Sequence, residues 1–312
     1  MAQKFDPNHV MLSDTIGKEI ADERFTNEFL QSLVNTSLLI KLGSPVEMKA
    51  KMERKSLGMG ELSNAYFVGE GEKIGTANLK GKDYVMEAKK IATILPVTEE
   101  FLEYSWANYF NEIVPVIADK FNKMIDGAAF LGLHNNPFGV NVLASAKKAK
   151  KVITGLDTKS IYDFEALTDK EPNAFVGHRT LNRSLRGLTD DVTKTYIFDR
   201  ANKTLDGISY EELMLADGEV YPENTLLTGD FSALKYGVPN GSQLRLKIAD
   251  QATLSKIQND GTVDSGDVHL FEQDMQALRA VFEIAVAIPV DGYFAAISPD
   301  AVADDEEELE EV

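Results

Sequence analysis

The chain has 312 residues, of which 44% are hydrophobic and 26% are charged, and its formal net charge is −18. This length and composition are those of a globular protein that can bury a core and form two or more subdomains. The absence of cysteine excludes disulfides, zinc–thiolate sites and thiol nucleophiles, and the negative charge argues against strong binding of nucleic acid through its phosphates.

The first 40 residues predict an extended arm that carries one helix. The polar start lacks the basic and apolar segments of a signal peptide, and the chain contains no run of about 18 apolar residues that could span a membrane. Apolar residues recur at helical spacing from Phe25 to Val34, and the short apolar run Leu38–Ile40 follows them. We therefore expect synthesis in a reducing cytoplasm and no membrane partner.

Residues 44–95 predict β-strands around a glycine-rich middle. A β pattern resumes in Lys82–Leu95, where one parity carries Tyr84, Met86, Ala88, Ala92 and Ile94. A long two-stranded excursion is not stable alone in water, and the sequence offers no obvious partner for it within the chain. The glycines that punctuate the middle are Gly58, Gly60, Gly69, Gly71, Gly75 and Gly81.

The segment Ile91–Gly139 predicts a strand, one very long helix and a Gly/Pro exit loop. Thr98 is the candidate N-cap, with two glutamates in the first turn, and apolar residues then recur at helical spacing to Ala129. A helix over Glu99–Leu131 would be roughly 50 Å long. Pro115 lies inside it and is expected to kink or divide it. A long helix with an apolar face and no catalytic polar residues is typical of a structural element and not of an active site.

Residues 145–265 predict a mixed α/β domain, with helices in Ser160–Leu167 and His178–Leu188. Asp274–Ile288 then predicts a long strand with one apolar and one mixed face, which ends before Pro289. Turn signals lie at Asp206-Gly207, Asp217-Gly218, Gly229-Asp230, Pro239-Asn240-Gly241 and Asp260-Gly261.

The C-terminal segment ADDEEELEEV, residues 303–312, carries seven acidic residues. A block of like charge predicts a solvated, disordered end, and a docking tail for a partner is the alternative. The one basic concentration is Lys147, Lys148, Lys150 and Lys151, which is too short to define a binding face.

We find no recognisable metal-binding, phosphate-binding or catalytic nucleophile motif in the sequence. The four histidines do not have the spacing of a metal site, and Gly69–Gly75 fits neither of the phosphate-binding glycine patterns. No GxSxG element is present. We predict no catalytic residue, no metal, no cofactor and no enzymatic activity.

The order and spacing of several short motifs resemble tailed-bacteriophage major capsid proteins of the Hong Kong-97 fold, in particular those of staphylococcal siphophages. The resemblance covers about residues 5–300. Its motifs include FDPNHVML near the start, YFVGEGEKI at Tyr66–Ile74, ILPVTEEFL at Ile94–Leu102, HNNPFG at His134–Gly139, LDGI at Leu205–Ile208, LLTGDFSALKYGVP at Leu226–Pro239 and LFEQDMQALRA at Leu270–Ala280.

The resemblance implies an α+β fold and a role for each block. Residues 1–43 correspond to the N-arm and 44–93 to the E-loop, a hairpin laid across an adjacent subunit, which would supply its missing partner. Residues 94–139 and 266–300 correspond to the peripheral (P) domain with its spine helix, and 140–265 to the axial (A) domain. Residues 301–312 form the acidic tail.

The implied function is a major head protein that self-assembles into the icosahedral shell around phage double-stranded DNA. The expected partners are further copies in pentamers and hexamers, a separate scaffold protein and a portal, with no sequence-specific contact to the DNA. The expected location is the virion, after assembly in the bacterial cytoplasm and procapsid maturation. The chain begins almost at the arm, so it is either a mature form or relies on a separate scaffold. An encapsulin-like compartment and an acidic cytoplasmic enzyme are the alternatives.

The residues expected to serve assembly lie in three places: the E-loop, the spine helix and the exit loop. No matching motif supports the covalent cross-linking of some relatives. The assembly candidates are Tyr66, Phe67, Gly69, Gly71, Trp106, Pro115, Asn135, Asn136, Pro137, Phe138 and Gly139.

Overall fold

The computed structural model describes residues 37–57, 67–70, 73, 82–190, 193–240, 245–249, 252–254 and 268–299. The predicted helix between Phe25 and Val34, the turn at Asp260-Gly261 and the acidic tail lie outside these residues. In the helix α2 defined below, the side chains of residues 99–112 and of Val114 are also outside the description.

The described chain mixes helices and strands, as an α+β fold requires. The α-helices are α1 (Leu38–Leu42), α2 (Glu99–Leu131), α3 (Val142–Lys148), α4 (Thr158–Ala166) and α5 (Asn182–Leu185). The strands are β1 (Ser44–Pro45), β2 (Met52–Leu57), β3 (Lys82–Glu87), β4 (Lys89–Thr98), β5 (Val152–Ile153), β6 (Ala174–Gly177), β7 (Phe198–Asp199), β8 (Thr204–Leu205), β9 (Ile208–Glu212), β10 (Leu226–Gly229), β11 (Lys235–Gly237), β12 (Arg245–Ala249), β13 (Thr253–Leu254), β14 (Val268–His269), β15 (Met275–Ala287) and β16 (Phe294–Ile297).

The chain divides into two compact units. One consists of Met1–Asn35, Ile91–Asp119 and Gln243–Phe282, and the other of Thr36–Lys90, Lys120–Ser242 and Glu283–Val312. In the first unit β12 pairs antiparallel with the first half of β15, from Arg245↔Val281 to Ala249↔Ala277. In the second unit β11 pairs antiparallel with the end of β15 and parallel with β1.

The main core of the second unit is a seven-stranded sheet in the order β5-β16-β10-β6-β9-β8-β7. Every residue of β6, β10 and β16 is buried, so their sequences AFVG, LLTG and FAAI are runs of apolar and small residues rather than alternating patterns. Helices α3 and α4 contact β16. The aromatic rings of Phe130, Phe231 and Phe294 meet at centroid distances of 5.5–5.7 Å, which joins the end of α2 to this sheet.

Helix α2 begins and ends at the predicted residues, Glu99 and Leu131. The helix continues through Pro115 and is not divided there; of the two predicted effects of this proline, a kink or a division, the kink stays a prediction. The helix ends at Gly132, whose φ of 75° lies in the left-handed region. The buried residues of its last turns recur at helical spacing: Phe121, Ile125, Ala128, Ala129 and Phe130.

The burial of two predicted strand segments is more complex than their sequence patterns. The β pattern over 82–95 is confirmed as two strands, β3 and β4, separated at Ala88. Tyr84, Met86 and Ala88 are at least partly buried, whereas Ala92 and Ile94 are exposed, so the protected parity changes after Ala88. In β15 every residue from Ala280 to Ala287 is buried, on both faces rather than one, because neighbouring elements cover the second face as well.

Several turn and helix signals are confirmed. Asp206 and Gly207, with φ of 47° and 81°, form the two-residue turn between β8 and β9, as an Asp-Gly pair favours. Helix α4 overlaps the predicted segment Ser160–Leu167 and begins two residues before it, and the short helix α5 lies within the predicted segment His178–Leu188. Gly229-Asp230 differs, because Gly229 ends β10 and Asp230 caps a 3-10 turn by accepting from the Ser232 N–H at 3.0 Å. A Cβ at Gly229 would lie 2.2 Å from the Tyr293 carbonyl oxygen.

Candidate assembly surfaces

The predicted E-loop hairpin begins with the antiparallel pair β2–β3, whose register runs from Met52↔Glu87 to Leu57↔Lys82. Because directly opposite residues point to the same face, Met52 and Arg54 share one face with Val85 and Glu87. This outer face is exposed throughout, and Met52 and Val85 on it are 63% and 47% exposed. The hairpin therefore presents apolar side chains to solvent between charged ones.

The segment beyond these strands carries a more exposed aromatic residue. Phe67 is completely exposed, and Val68 beside it is 37% exposed. A phenylalanine without cover in the subunit loses its favourable burial term, which is roughly 1.5–3 kcal/mol. Together with the exposed Val68, this side chain is a candidate for a surface that another molecule covers.

On the inner face of the hairpin, the buried residues within the described part of the chain lie near its base. Met86 and Ala88 lie in a fully buried cluster with Met48, Ala285 and Ala287, and Val46 and Tyr84 pack against this cluster. The Ala88 N–H also donates to the Lys51 carbonyl at 2.8 Å. The prediction that the hairpin lacks a partner within the chain is therefore wrong for its base, where the end of β15 supplies one.

The turn before β2 is fixed by Glu53. Its carboxylate accepts the backbone N–H groups of Lys49 and Ala50, and the Lys55 ammonium lies 2.5 Å from its second oxygen. The hydrogen bond with Lys55 and the backbone donor at Ala50 lower the pKa of Glu53. This keeps the carboxylate ionised and aligns the entry to the hairpin.

The entry to the second unit is fixed by a buried carboxylate on α2. Asp126 accepts the Ser37 hydroxyl at 2.9 Å and the Leu39 N–H at 3.0 Å on one oxygen, and the Leu38 N–H at 2.9 Å on the other. These donors belong to the start of α1, where backbone N–H groups have no partner inside the helix. Asp126 thus ties α1 to the spine helix.

Burial raises the pKa of Asp126 to about 6, and the three donors only partly offset this effect. The same helix α1 is also held at the surface, where the Lys41 ammonium lies 2.6 Å from a Glu211 carboxylate oxygen. An exposed ion pair of this kind contributes little stability, so the buried Asp126 contacts dominate the attachment.

The exit loop after α2 has an unusual backbone. His134, Asn135 and Asn136 all have positive φ, at 58°, 58° and 42°, and Gly139 follows at 70°. Asparagine adopts this region more readily than most residues. The His134 Nδ1 lies 3.2 Å from a Glu219 oxygen. The loop leads to Asn141, whose side chain accepts the Ala144 N–H at 2.6 Å and caps α3.

No group of three or more histidine, aspartate or glutamate side chains in the part of the chain that the structure describes could hold a metal ion. None of the described helices is long and apolar enough to cross a membrane. What stands out instead is surface: an exposed hairpin face, an exposed phenylalanine and an anchored helix at the start of the described chain.

Comparison with known proteins identifies the kind of assembly. The model of the Phage capsid family matches residues 17–298 of the chain. The chain belongs to the phage capsid family. It is 39% identical over 302 residues to the major capsid protein of Staphylococcus phage 80alpha, a match that covers 95% of this chain and 90% of that protein.

Solved structures show the same fold. A structure from Microbacterium phage Oxtober96 superposes with a TM-score of 0.67 at 22% identity, over 85% of this chain and 91% of that one. A capsid of an empty GTA particle superposes with a TM-score of 0.61 at 12% identity, over 84% of this chain and 89% of that one. The predicted Hong Kong-97 fold is confirmed.

The family settles the main functional prediction. The chain is a major capsid protein of the tailed-phage type, as predicted, and neither the encapsulin nor the enzyme alternative is favoured. The phage capsid family is a structural family and not an enzyme family. The protein is part of the virion and works as one subunit of an oligomeric assembly.

The structure places the eleven assembly candidates in separate regions. Phe67 and Gly69 lie in the exposed segment of the hairpin, and Tyr66 and Gly71 lie outside the described residues. Trp106 and Pro115 are in α2, where Pro115 is exposed. Residues 135–139 form the exit loop. The structure of a single subunit contains no neighbouring subunit that these eleven residues could contact. Their roles in assembly therefore stay predictions.

Two groups were missed by the sequence reasoning. Asp126 carried a signal, because it is a carboxylate between Ile125 and Ala129 on the apolar stripe of α2, where a charge needs dedicated donors. The lysines near Tyr293 carried only part of a signal, because Lys151 belongs to the basic concentration noted in the sequence, whereas Lys170 and Lys235 are far from it in sequence and come near Tyr293 only in the fold.

Proposed function

We propose that this phage capsid protein closes its shell through the β2–β3 hairpin, which lies across a neighbouring subunit as an E-loop. The observation that carries the proposal is the uncovered outer face of the hairpin, with Met52 and Val85 exposed on it and Phe67 exposed beyond it. Large permanent interfaces bury roughly 2,000–5,000 Å², and an extended hairpin supplies such area without enlarging the subunit core.

The remaining blocks receive the roles that the family resemblance implies. Residues 1–43 act as the N-arm, 94–139 and 266–300 as the P domain, and 140–265 as the A domain. Copies associate as pentamers and hexamers in the bacterial cytoplasm with a separate scaffold protein and a portal. The shell encloses double-stranded DNA, and a subunit of net charge −18 suits a container that does not hold the packaged DNA tightly.

The hairpin role is tested by shortening the hairpin without removing its base. Leu57 and Lys82 are directly paired, so residues 58–81 can be replaced by Asn-Gly, which closes two strands in a two-residue turn. We expect a folded subunit that forms no closed shells by electron microscopy. Normal shells from this variant would refute the hairpin role.

A point substitution provides the matched control. Phe67→Ser removes the exposed aromatic surface, whereas Phe67→Leu keeps an apolar side chain of similar reach. We expect the serine variant to lower the yield of closed shells and the leucine variant to retain most of it. Equal yields would show that Phe67 is not a shell contact, and circular dichroism of both subunits would verify that folding is unchanged.

A further inference from the structure

A lysine-lined cavity lies on the second unit, beside the turn that precedes β16. Its volume is about 210 Å³, and its lining includes Lys170, Ser232, Lys235, Val290 and Tyr293. The turn itself is a short 3-10 element, Asp291–Tyr293. The cavity belongs to neither the hairpin nor the exit loop.

The lysines of the cavity are only weakly neutralised. The Lys170 ammonium lies 4.5 Å from the centre of the Tyr293 ring and 3.6 Å from an Asp230 oxygen. The Lys235 ammonium donates to the Ser232 carbonyl at 2.8 Å, and within the described residues no carboxylate lies at salt-bridge distance from it. Both cations keep capacity for an anionic partner.

More lysines surround the same turn. The Lys148 ammonium lies 2.6 Å from an Asp291 oxygen, and Lys151 donates to the Gly292 carbonyl at 2.7 Å while pairing with Asp169 at 2.5 Å. Lys147 and Lys150 flank them in sequence. Lys148, Lys151 and Lys170 each have an aspartate partner, but the lysines outnumber these aspartates, and the excess positive charge attracts acidic peptide segments.

The described chain ends at Pro299, six residues after Tyr293 and just before the acidic C-terminal segment. Strand β16 follows Tyr293 directly and runs parallel to β5, with Ala296 opposite Val152, and Val152 comes directly after Lys151. The Ser298 N–H donates to the Ile153 carbonyl at 3.0 Å. From Tyr293 to Ser298 the chain advances roughly 17 Å at about 3.4 Å per residue.

The C-terminal segment is long enough to reach back to the lysine-lined cavity. Residues 300–312 span up to roughly 45 Å when extended, which exceeds the distance back to the cavity. Seven of the last ten residues are acidic. Covalent attachment gives such a tail an effective concentration on the order of millimolar, so several weak charge pairs are enough for binding.

We propose that the acidic tail, residues 303–312, docks in cis on the lysine cavity formed by Lys170, Lys235 and the turn Asp291–Tyr293. The ligand chemistry is that of an acidic peptide, and its source is the chain's own C-terminus. Docking neutralises the excess positive charge of these lysines and, resting on the proposed function, shields them from the packaged DNA. Because the pairs are exposed, docking weakens as salt rises.

The chain has no cysteine, so a single Val312→Cys substitution allows specific labelling of the tail with a fluorophore. In the unassembled full-length subunit we expect high fluorescence anisotropy at low salt and a decrease at about 0.5 M salt. Lys170→Gln with Lys235→Gln should weaken docking roughly tenfold and lower the anisotropy in the same way. Unchanged anisotropy in this variant would overturn the proposal.

The control variant is Arg200→Gln with Lys203→Gln, which removes the same charge elsewhere on the sheet. Lys203 precedes β8, which lies four strands from β16, or roughly 19 Å at about 4.8 Å per strand. We expect no change in anisotropy. An equal decrease in the control would show attraction by overall charge and would also overturn the proposal.

Two further measurements show whether the tail itself binds the cavity and whether it does so within one chain. Replacing Glu306, Glu307 and Glu308 by glutamine changes only the tail and should lower the anisotropy without any effect on folding. Carbodiimide cross-linking should join tail carboxylates to Lys170 or Lys235 within one chain, as peptide mapping would reveal. Anisotropy that rises with protein concentration, or cross-links only between chains, would mean that a second copy supplies the tail and would refute docking in cis.

Discussion

The seven-stranded sheet and the β2–β3 hairpin lie in the same unit of the chain, but they bury their side chains very differently. Strands β6, β10 and β16 are buried on both faces. Among the described residues of the hairpin, only Met86 and Ala88 are buried, and the outer face of its two strands is exposed. The sheet therefore contains what the subunit needs to fold, whereas the hairpin carries surface that becomes useful when another subunit covers it.

The largest effect on subunit stability should come from the sheet. Phe175 in β6 is fully buried, and its ring lies 6.1 Å from that of Phe164 on α4. Phe175→Ala should lower the free energy of unfolding by roughly 3–5 kcal/mol, because it removes the ring and leaves a cavity. Urea unfolding of the unassembled subunit measures this. If the free energy of unfolding fell by no more than it does for a surface substitution, the sheet would not be the self-sufficient core that distinguishes it from the hairpin.

The next largest effect on stability should come from Asp126, which binds the start of α1. This helix precedes the hairpin in the second unit. Burial raises the pKa of Asp126 to about 6, so between about pH 4 and pH 6 the folded subunit keeps a proton that the unfolded chain has lost. The stability from this group is complete below about pH 4 and decreases as pH rises through about 6, by about 3 kcal/mol.

Asp126→Asn cannot titrate and is the matched comparison. Urea unfolding of both proteins from about pH 4 to pH 7 should therefore show a wild-type stability that falls relative to the variant by about 3 kcal/mol. The difference between the two proteins cancels the titration of all other groups. Parallel stability curves over this range would mean that Asp126 is ionised throughout and that its donors outweigh burial.

These results separate what the sequence predicts well from what it cannot predict. The bounds of α2 follow from its long apolar period and its polar start, and the end of β15 follows from Pro289, because both signals are local. The second buried face of β15 depends on which elements cover it. The tie between Asp126 and Ser37 joins residues 89 positions apart. Such facts arise from tertiary contacts that no local pattern records.

The assembly candidates show the same limit. The sequence names Phe67 as an assembly candidate, which stays a prediction, and its complete exposure is visible only in the structure. The exit loop owes its Asn-rich sequence to three consecutive left-handed residues, which is sufficient reason for those residues within the subunit. A family motif therefore does not by itself distinguish a shell contact from a local backbone requirement.

A third, smaller effect should come from the hairpin base. Met86 is fully buried among Met48, Ala88, Ala285 and Ala287, so Met86→Ala should cost about 2–3 kcal/mol, at the lower end for such truncations, since the open hairpin above it can relax. Thermal unfolding with Met86→Leu as the volume-conserving control would measure this. A negligible cost would mean that even the base depends on a neighbouring subunit.

The smallest effect on the subunit should come from the outer face of the hairpin, and it sharpens the comparison most. Val85 is 47% exposed and lies opposite Arg54. Val85→Thr keeps the branched shape that favours a strand and replaces one methyl group by a hydroxyl. In the isolated subunit it should change the free energy of unfolding by less than about 0.5 kcal/mol, as for most surface substitutions.

In a shell the same hydroxyl would enter an interface, where a buried polar group without a partner costs about 1–3 kcal/mol. Because each closed shell repeats the contact in every subunit, a small loss per contact should strongly lower the yield of particles. Val85→Ile, which stays apolar, is the control and should assemble normally. Electron microscopy together with urea unfolding of both variants separates the two effects. If Val85→Thr reduced stability and assembly in proportion, the hairpin face would belong to the subunit core, and the distinction between a self-sufficient sheet and an assembly-dependent hairpin would fail.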